Sequence, residues 1–408
     1  MKRRFLLRVL SLVSVVGLIV LGGCQRSLDA PSERAQALAQ RLLIVDTHID
    51  APTRVHRSHE DLLVATDGQF DYPRARAGGL DAPFMSIYIP AGVDAAGEGM
   101  ARAHALIDIV EDLVSRAPEK FALAYSVADV ERNFDAGLIS LPMGMENVGP
   151  IGAEFEHLQT LYDRGIRYVT PAHSRSNVFS DSSYDVDERW EGLSPAGREL
   201  VAKLNAIGIM IDVSHLSDRA FWQVMELSRT PVIASHSATR RFVPGFHRNI
   251  DDDMIRAMGE HAGVVQINFG STYVSAESRG SQEGSRKAYR EFLDASGHAG
   301  NSDEARTFMT QYLSEHPLRR ANVDEVLDHF DHVVALAGID HVGIGSDYDG
   351  VGDTLPIGLE DVSTYPNLIE GLLARGYSEA DIEKIVGGNL LRVWRAVERF
   401  SQEQRSSS

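Results

Sequence analysis

Apolar runs that alternate with segments of helical spacing constrain the fold of this chain more than any other feature of its sequence. Eight runs have the composition of strands buried on both faces, and most are followed by a helical pattern. The runs cover residues 42–50, 82–90, 141–147, 166–173, 209–215, 231–236, 263–269 and 341–347. Alternation of this kind and count predicts an α/β fold, namely a (β/α)8 TIM-type barrel.

A doubly wound open sheet is the alternative architecture. The first run lacks the glycine-rich phosphate turn that is typical of that fold, so the barrel is favoured. Some helix boundaries are also clear, because Ser194 and Pro195 predict a helix start and Ser378 with Asp381 predicts a capping box. A shorter apolar run at residues 121–125 predicts a side strand.

The composition and length suit one large domain. With 43% hydrophobic residues among 408, the chain can bury a sizeable core, and residues 39–400 are predicted to form a single barrel domain. Residues 275–317 are polar and form an insertion between the seventh and eighth runs, either a lid over the strand ends or a solvated loop. Residues 401–408 predict a frayed tail.

The N-terminus has the pattern of an export signal. Residues 1–23 combine four basic residues with an apolar segment too short for a comfortable membrane span, and end in Leu-Gly-Gly before Cys24, the only cysteine. This resembles a bacterial lipoprotein signal peptide, which implies cleavage before Cys24 and lipidation of that residue. Residues 24–38 then predict a tether. In signals of this kind an Asp after the Cys indicates retention in the inner membrane; Gln25 occupies that position here, so the resemblance implies an outer-membrane location facing the periplasm. An ordinary signal peptide or an uncleaved anchor is the alternative.

Charge and missing motifs exclude several function classes. The formal net charge of −18 argues against a nucleic-acid partner, because phosphate binding requires a basic face. The chain contains neither the phosphate-binding G-x-x-x-x-G-K-[ST] motif nor the G-x-S-x-G motif of serine hydrolases.

Six of the eight runs end in residues that can bind a metal or transfer a proton. These residues are His48 with Asp50, Glu146, His173, His215, His236 and Asp347. Because parallel strands of a barrel end at one rim, we expect these side chains to converge there. Imidazoles and carboxylates without a thiolate suit Zn²⁺, Mn²⁺ or Fe²⁺, and zinc is the commonest of these for hydrolysis.

The number of candidate ligands predicts two metal ions. His48 and Asp50 would hold one ion, and His215 and His236 the other. In many barrel hydrolases a carbamylated lysine at a strand end bridges the two ions. None of the five lysines of this chain lies at the C-terminal end of a predicted strand, so we expect Glu146 to be the bridge. Two dications sharing a bridging hydroxide would provide a nucleophile at neutral pH and stabilise an oxyanion.

Six short motifs, in this order, resemble the membrane (renal-type) dipeptidase family of zinc peptidases, which are related to the amidohydrolase barrels. The motifs are D-T-H-I-D at 46–50, M-E-N at 145–147, T-P-A-H-S at 170–174, D-V-S-H at 212–215, S-H-S at 235–237 and G-S-D-Y-D-G at 345–350. The resemblance runs from about residue 40 to residue 395. It implies hydrolysis of dipeptides, including some with a D-residue at the C-terminal position.

The resemblance also implies a role for each residue. It implies zinc ligation by His48, Asp50, Glu146 as the bridge, His215 and His236. Asp347 would act as the catalytic acid/base, and His173 would polarise the scissile carbonyl or steady the oxyanion. Arg248 would hold the C-terminal carboxylate of the substrate, which agrees with the bidentate pairing of guanidinium and carboxylate. Arg240 and Arg241 compete with it for this role.

Two other hypotheses remain open from the sequence. The same metals and barrel could hydrolyse a cyclic amide, a lactone or another small ester, or the chain could be a metal- or peptide-binding lipoprotein without catalysis. The predicted partners are dipeptide substrates and a membrane reached only through the lipid on Cys24. The oligomeric state, a homodimer included, stays open.

Overall fold

The structure is a computed structural model that describes residues 30–186 and 188–407. The predicted signal peptide at residues 1–23 and the lipidation site Cys24 lie outside this part of the chain. Among the described helices, none combines the length and the apolar character that a bilayer crossing requires.

Each of the eight predicted runs contains a strand, and all strand pairs in the described residues are parallel. The strands are β1 (Ile44–Ile49), β2 (Leu80–Tyr88), β3 (Phe121–Leu123), β4 (Ile139–Leu141), β5 (Met143–Glu146), β6 (Ile166–Thr170), β7 (Met210–Ile211), β8 (Ile233–Ser237), β9 (Val264–Ile267) and β10 (Val342–Ile344). They form a five-stranded sheet ordered β1-β2-β5-β6-β7, a three-stranded sheet ordered β10-β9-β8, and a small side sheet of β3 and β4. The predicted α/β class and the side strand at residues 121–125 are thereby confirmed.

Backbone contacts join the two larger sheets at both of their edges. Single parallel bridges pair Ile49 with Tyr348 at one junction and Asp212 with Ile233 at the other. The amide of Asp347 donates to the carbonyl of His48 over 3.1 Å, and further bonds continue each junction. The parallel strands therefore follow one curled surface, and their C-terminal ends lie along the same edge.

A buried aspartate braces each junction. Asp46 Oδ1 accepts the amides of His48 (3.1 Å) and Ser346 (3.0 Å), while its Oδ2 accepts the hydroxyl of Tyr365 (2.6 Å). Asp212 Oδ1 accepts the amide of Ser235 across the second junction over 2.8 Å. Because a buried carboxylate is stable only when its oxygens are hydrogen-bonded, these bonds tie the strand ends into a defined arrangement.

Helices follow most strands and supply the outer layer. They are α1 (Glu33–Arg41), α2 (Ala51–Ser58), α3 (Tyr72–Gly78), α4 (Ala91–Ala95), α5 (Gly99–Arg116), α6 (Val127–Asp135), α7 (Leu158–Asp163), α8 (Pro195–Ile207), α9 (Asp218–Leu227), α10 (Asp252–Glu260), α11 (Ser271–Val274), α12 (Ala276–Ser296), α13 (Asp303–Glu315), α14 (Val323–Ala337), α15 (Tyr365–Ala374), α16 (Glu379–Glu383) and α17 (Asn389–Ser407). Both predicted helix starts are confirmed, since Ser194 caps α8 and Ser378 forms a capping box with Asp381 at α16. Trp394 of α17 is fully buried and packs against Phe84 of β2, with ring centroids 5.3 Å apart.

The structure differs from the expected organisation at both ends of the described chain. Where a tether is predicted at residues 24–38, Ser32 caps α1, which buries Ala35, Leu38 and Ala39. These three residues lie on one face of a helix, so the segment packs instead of remaining extended. The predicted tail at residues 401–408 likewise continues α17 as far as Ser407.

The polar insertion at residues 275–317 contains two helices instead of an irregular loop. Ser275 caps α12 and Ser302 caps α13. Only Ser278 and Ser285 of α12 are buried, which explains why the segment carries little hydrophobic periodicity in its sequence.

Candidate metal centre and active site

The strand ends bring together the five predicted metal ligands and the two predicted catalytic residues His173 and Asp347. His48, Glu146 and His236 belong to β1, β5 and β8, and the others follow their strands within a few residues. All are buried except His173, which is 18% exposed at its side chain. Parallel strands that end along one edge therefore deliver side chains from distant segments to a single site.

The carboxylate of Glu146 lies at the centre of the site. Its Oε1 is 3.0 Å from His215 Nε2, 3.2 Å from His236 Nε2 and 3.6 Å from His173 Nε2. Its Oε2 is 3.7 Å from His48 Nε2. One carboxylate thus faces four imidazoles, with one oxygen directed to each side of the cluster.

Two further carboxylates, those of Asp50 and Asp347, lie near His48. Asp50 Oδ2 is 3.4 Å from His48 Nε2, and Asn268 donates to Asp347 Oδ2 over 2.8 Å. A Cβ added to Gly350 would lie 2.1 Å from Asp347 Oδ1 and 2.4 Å from Asp50 Oδ2. The loop after β10 therefore reaches the site only because residue 350 has no side chain.

Two of the site residues have backbone conformations that L-residues rarely adopt. His215 has a φ of 68° and Asp347 a φ of 65°. Each such conformation costs on the order of 1 kcal/mol or more, and such residues cluster at functional sites. Both residues follow a strand end, and both contribute donor atoms to the cluster.

Burial and neighbouring charge shift the ionisation of these groups. Burial raises the pKa of Glu146 to about 8 and that of Asp347 to about 6. Burial lowers the pKa of His48, but the negative charges of Glu146 and Asp50 outweigh it and raise that pKa to about 10. The carboxylate side of the cluster is therefore short of positive charge.

The other imidazoles are held neutral. Burial, together with the charge of Arg248, lowers the pKa of His173 to about 3 and that of His215 well below its usual value. Burial and the charge of His48 do the same for His236. Neutral imidazole is the form that binds a metal ion.

The hydrogen bonds of His236 determine which of its nitrogens carries the proton. Ser235 Oγ donates its only proton to Asp212 Oδ2 over 2.7 Å, so it can only accept from His236 Nδ1, which is 2.8 Å away. The Nε2 of His236 therefore has a free lone pair, and it lies 2.9 Å from Nε2 of His215. This is the arrangement of a metal-binding histidine whose second nitrogen is held by a hydrogen-bonded partner.

The cluster fits divalent metal ions. His48 Nε2, Asp50 Oδ1 and Glu146 Oε1 are buried without hydrogen-bond partners. Among the described residues, three overlapping groups have ligand atoms within 4.8 Å of one another: His48 with Glu146 and His236, Glu146 with His173 and His215, and His48 with Asp50 and Asp347. Converging nitrogen and oxygen donors without sulfur suit zinc and similar cations.

Arg248 is a buried cation beside this cluster. Its guanidinium donates to Ser237 Oγ and to the carbonyl of His236, each over 2.7 Å, and it is 2% exposed. Its Nε has no hydrogen-bond partner, and no carboxylate of the described residues forms an ion pair with it. Arg240 is instead paired with Asp218 through two bonds of 2.6 and 2.8 Å, which removes it as a competitor.

A cavity of about 760 Å³ opens above the cluster. Asp50, Glu146, His173, His215, His236 and Asp347 contribute to its floor. Tyr88, Tyr184 and Tyr273 line it, and residues of α12 form part of its wall. The volume suits a small molecule that makes polar contacts at one end and aromatic contacts along the sides.

Sequence reasoning missed several residues that support the site. Asp46 and Asp212 precede His48 and His215 by two and three positions, so the D-x-H and D-x-x-H spacings were visible signals. The hydroxyl of Tyr168 lies 2.7 Å from Nδ1 of His48. The two residues are 120 positions apart in the chain, so no local sequence pattern indicates this contact. Gly144 leaves room for the Tyr168 ring, since a Cβ there would lie 2.0 Å from Cζ of that ring.

Removing the Tyr168 hydroxyl is expected to weaken metal binding. Tyr168→Phe should lower zinc affinity about tenfold, because the partner that orients His48 is lost. Gly144→Ala should lower it further, because the added Cβ displaces the whole ring. Competition against a chelator of known affinity measures both effects. Tyr377→Phe, which removes a hydroxyl bonded to Asp331 elsewhere, is the matched control; equal zinc affinity of the Tyr168 and Tyr377 variants would contradict the assignment.

Comparison with known proteins gives a consistent result. The family described as membrane dipeptidase (peptidase family M19) matches residues 32–408. An uncharacterized dipeptidase of Schizosaccharomyces pombe is 30% identical, covering 97% of this chain and 91% of its own length. Dipeptidase aclJ of Aspergillus oryzae is 33% identical, covering 84% of this chain and 72% of its own length.

Two solved structures resemble the fold closely. The probable dipeptidase PvdM from Pseudomonas aeruginosa has a TM-score of 0.78 and 29% identity, covering 90% of this chain and 98% of that one. A metallopeptidase from Rhodobacter sphaeroides liganded with a phosphinate mimic of L-Ala-D-Ala has a TM-score of 0.71 and 26% identity, covering 87% and 99%. The resemblance inferred from the six motifs is confirmed: the chain belongs to the membrane dipeptidase family, peptidase family M19, and is a metallo-dipeptidase.

Proposed function

We propose that this enzyme is a zinc-dependent dipeptidase that cleaves the peptide bond of dipeptides, including some with a C-terminal D-residue. The observation that carries the proposal is the position of Arg248, a buried cation without a carboxylate partner among the described residues, whose guanidinium lies 3.0 Å from Nε2 of His215 in the Glu146 cluster. A cation beside the cluster can pair with the C-terminal carboxylate of a dipeptide, which lies three bonds from the carbonyl carbon of the scissile peptide bond. The relative that binds a mimic of L-Ala-D-Ala supports acceptance of a D-residue.

We propose that the two larger sheets form one (β/α)8 barrel. The bridges at Ile49 with Tyr348 and Asp212 with Ile233 support this, because they continue the parallel order β1-β2-β5-β6-β7-β8-β9-β10 around both junctions. A (β/α)8 barrel consists of eight parallel strands surrounded by an outer layer of helices.

Two zinc ions fit the donor set. His48 and Asp50 would hold one, His215 and His236 the other, and Glu146 would contact both, because its two oxygens face opposite halves of the cluster. When bound, zinc acts as a Lewis acid that polarises a carbonyl and makes water more acidic. The shared carboxylate would keep both cations beside the same substrate bond.

Asp347 is suited to move the proton. Its carboxylate lies in the same cluster as His48 and Asp50, so it is close enough to accept a proton from the attacking water and return it to the leaving amine. Asn268 fixes one carboxylate oxygen and leaves the other facing the cluster. We propose that His173, which lines the cavity and is 18% exposed at its side chain, donates a ring N–H to the substrate carbonyl.

Asp347→Asn is expected to lower kcat by about a thousandfold, because the amide cannot accept the proton from water. Steady-state kinetics with L-Ala-L-Ala on zinc-loaded protein measures the loss. Zinc content should stay at the wild-type value, since Asp347 is not one of the proposed ligands and all five of those are unchanged. Retention of wild-type turnover would contradict the role of Asp347 and favour a binding protein without catalysis.

Arg248→Gln is expected to lower kcat/KM for L-Ala-L-Ala about 30-fold or more, because a buried charged hydrogen bond to the substrate carboxylate is lost. The decisive quantity is the preference of the enzyme for L-Ala-L-Ala over L-Ala-L-Ala amide, which should disappear in the variant. Arg241→Gln, an exposed neighbour, is the matched control. An unchanged preference would favour the cyclic amide or lactone hypothesis instead.

We propose that Cys24 carries lipid and anchors the enzyme in the cell envelope, at the outer membrane facing the periplasm. The support is the basic and apolar pattern of residues 1–23 and the Leu-Gly-Gly sequence before Cys24. Cys24→Ser should abolish incorporation of labelled palmitate and move the protein from the detergent phase to the aqueous phase after Triton X-114 separation. Palmitate labelling that persists in the variant would overturn the proposal.

A further inference from the structure

One face of α12 forms a basic wall above the active site. The residues of this basic wall are Arg279, Gln282 and Arg286, which all line the cavity. Their spacing of three and four positions places them on the same side of a helix. All three side chains carry N–H donors, and among the described residues no carboxylate lines the cavity outside its floor.

The wall is anchored to the body of the protein. The amide of Arg319 donates to Ser281 Oγ over 3.1 Å, and its guanidinium donates to Ser278 over 2.9 Å. In the preceding helix α11, the carbonyl of Tyr273 accepts a hydrogen bond from the side chain of Asn249 over 2.7 Å. The bonds from Arg319 therefore hold α12 in place beside the cavity.

The two arginines of the wall differ in their partners. Arg279 stacks on Phe246 at 3.6 Å and pairs with Glu283 over 2.9 Å, so its charge is partly balanced. Arg286 makes no hydrogen bond or ion pair with any residue that the structure describes. In a chain whose net charge is −18, an unpaired guanidinium facing the active-site cavity is a candidate ligand for an anion.

In the function proposed above, Arg248 beside His215 binds the C-terminal carboxylate of the dipeptide. A second anion that reaches the wall must therefore come from a side chain of the substrate. We propose that this enzyme favours dipeptides with an acidic side chain, and that Arg286, assisted by Arg279 and Gln282, is the residue that selects them. This inference rests on the dipeptidase function proposed above.

Two isosteric pairs of substrates test the inference. They are L-Ala-L-Glu with L-Ala-L-Gln and L-Glu-L-Ala with L-Gln-L-Ala, and each pair differs only in side-chain charge. In at least one pair, kcat/KM should favour the acid by about fivefold or more, which is the scale of a favourable exposed ion pair. The pair that shows the preference identifies which substrate residue faces the basic wall.

Variants of α12 assign the preference to the wall. Arg286→Gln should reduce the acid-to-amide ratio to about one, and Arg286→Lys should retain part of it because the charge remains. Lys287→Gln removes the same charge from the neighbouring position, which is 71% exposed and does not line the cavity, and should keep the wild-type ratio. Added salt should lower the ratio in the wild type but not in Arg286→Gln.

The outcomes separate the two proposals. Cleavage of all four dipeptides without preference for either acid would overturn the inference and leave the dipeptidase function standing. An equal loss of the ratio in Lys287→Gln and Arg286→Gln would overturn it as well, because general charge would then explain the effect. If zinc-loaded enzyme cleaves none of the four, both proposals fall.

Discussion

The geometry of the site depends on one buried carboxylate that lies between four imidazoles. Glu146 is 3% exposed and has the ring nitrogens of four histidines within 3.7 Å. Burial opposes its ionisation, and its Oε1 has no hydrogen-bond partner. Bound cations would satisfy these atoms and balance the charge of the buried carboxylate. The ions that the family requires would thus also stabilise the fold at the point where its strands converge.

The precision of this site comes from the two junctions between the sheets. Asp46 and Asp212 each accept amides from two strand ends, and each lies within three positions of a proposed metal ligand. Asp212 also reaches His236 through Ser235, which leaves Nε2 of that histidine free for a metal. The hydrogen bonds that join the two sheets therefore also orient the proposed metal ligands.

The strands and the proposed ligands could be predicted from the sequence because their signals are local. An apolar run that ends in His48 and Asp50 shows both the buried strand and the polar tip within nine residues. Tyr168 and Arg286 could not be assigned, because their roles depend on partners or cavities formed by distant segments. The helix α12 buries only two residues, so its sequence has no hydrophobic periodicity that would predict a helix. The helix α1 was missed because its three buried residues lie in a mostly polar segment.

The zinc content of the protein, purified without chelators, tests the central claim most directly. Measured together with thermal unfolding, it should give about two zinc ions per chain and a melting temperature that falls when the metal is removed. His236→Ala should then retain about one ion, because His48 and Asp50 remain. Fewer than one zinc per chain in the wild type, or a content that His236→Ala leaves unchanged, would contradict the account.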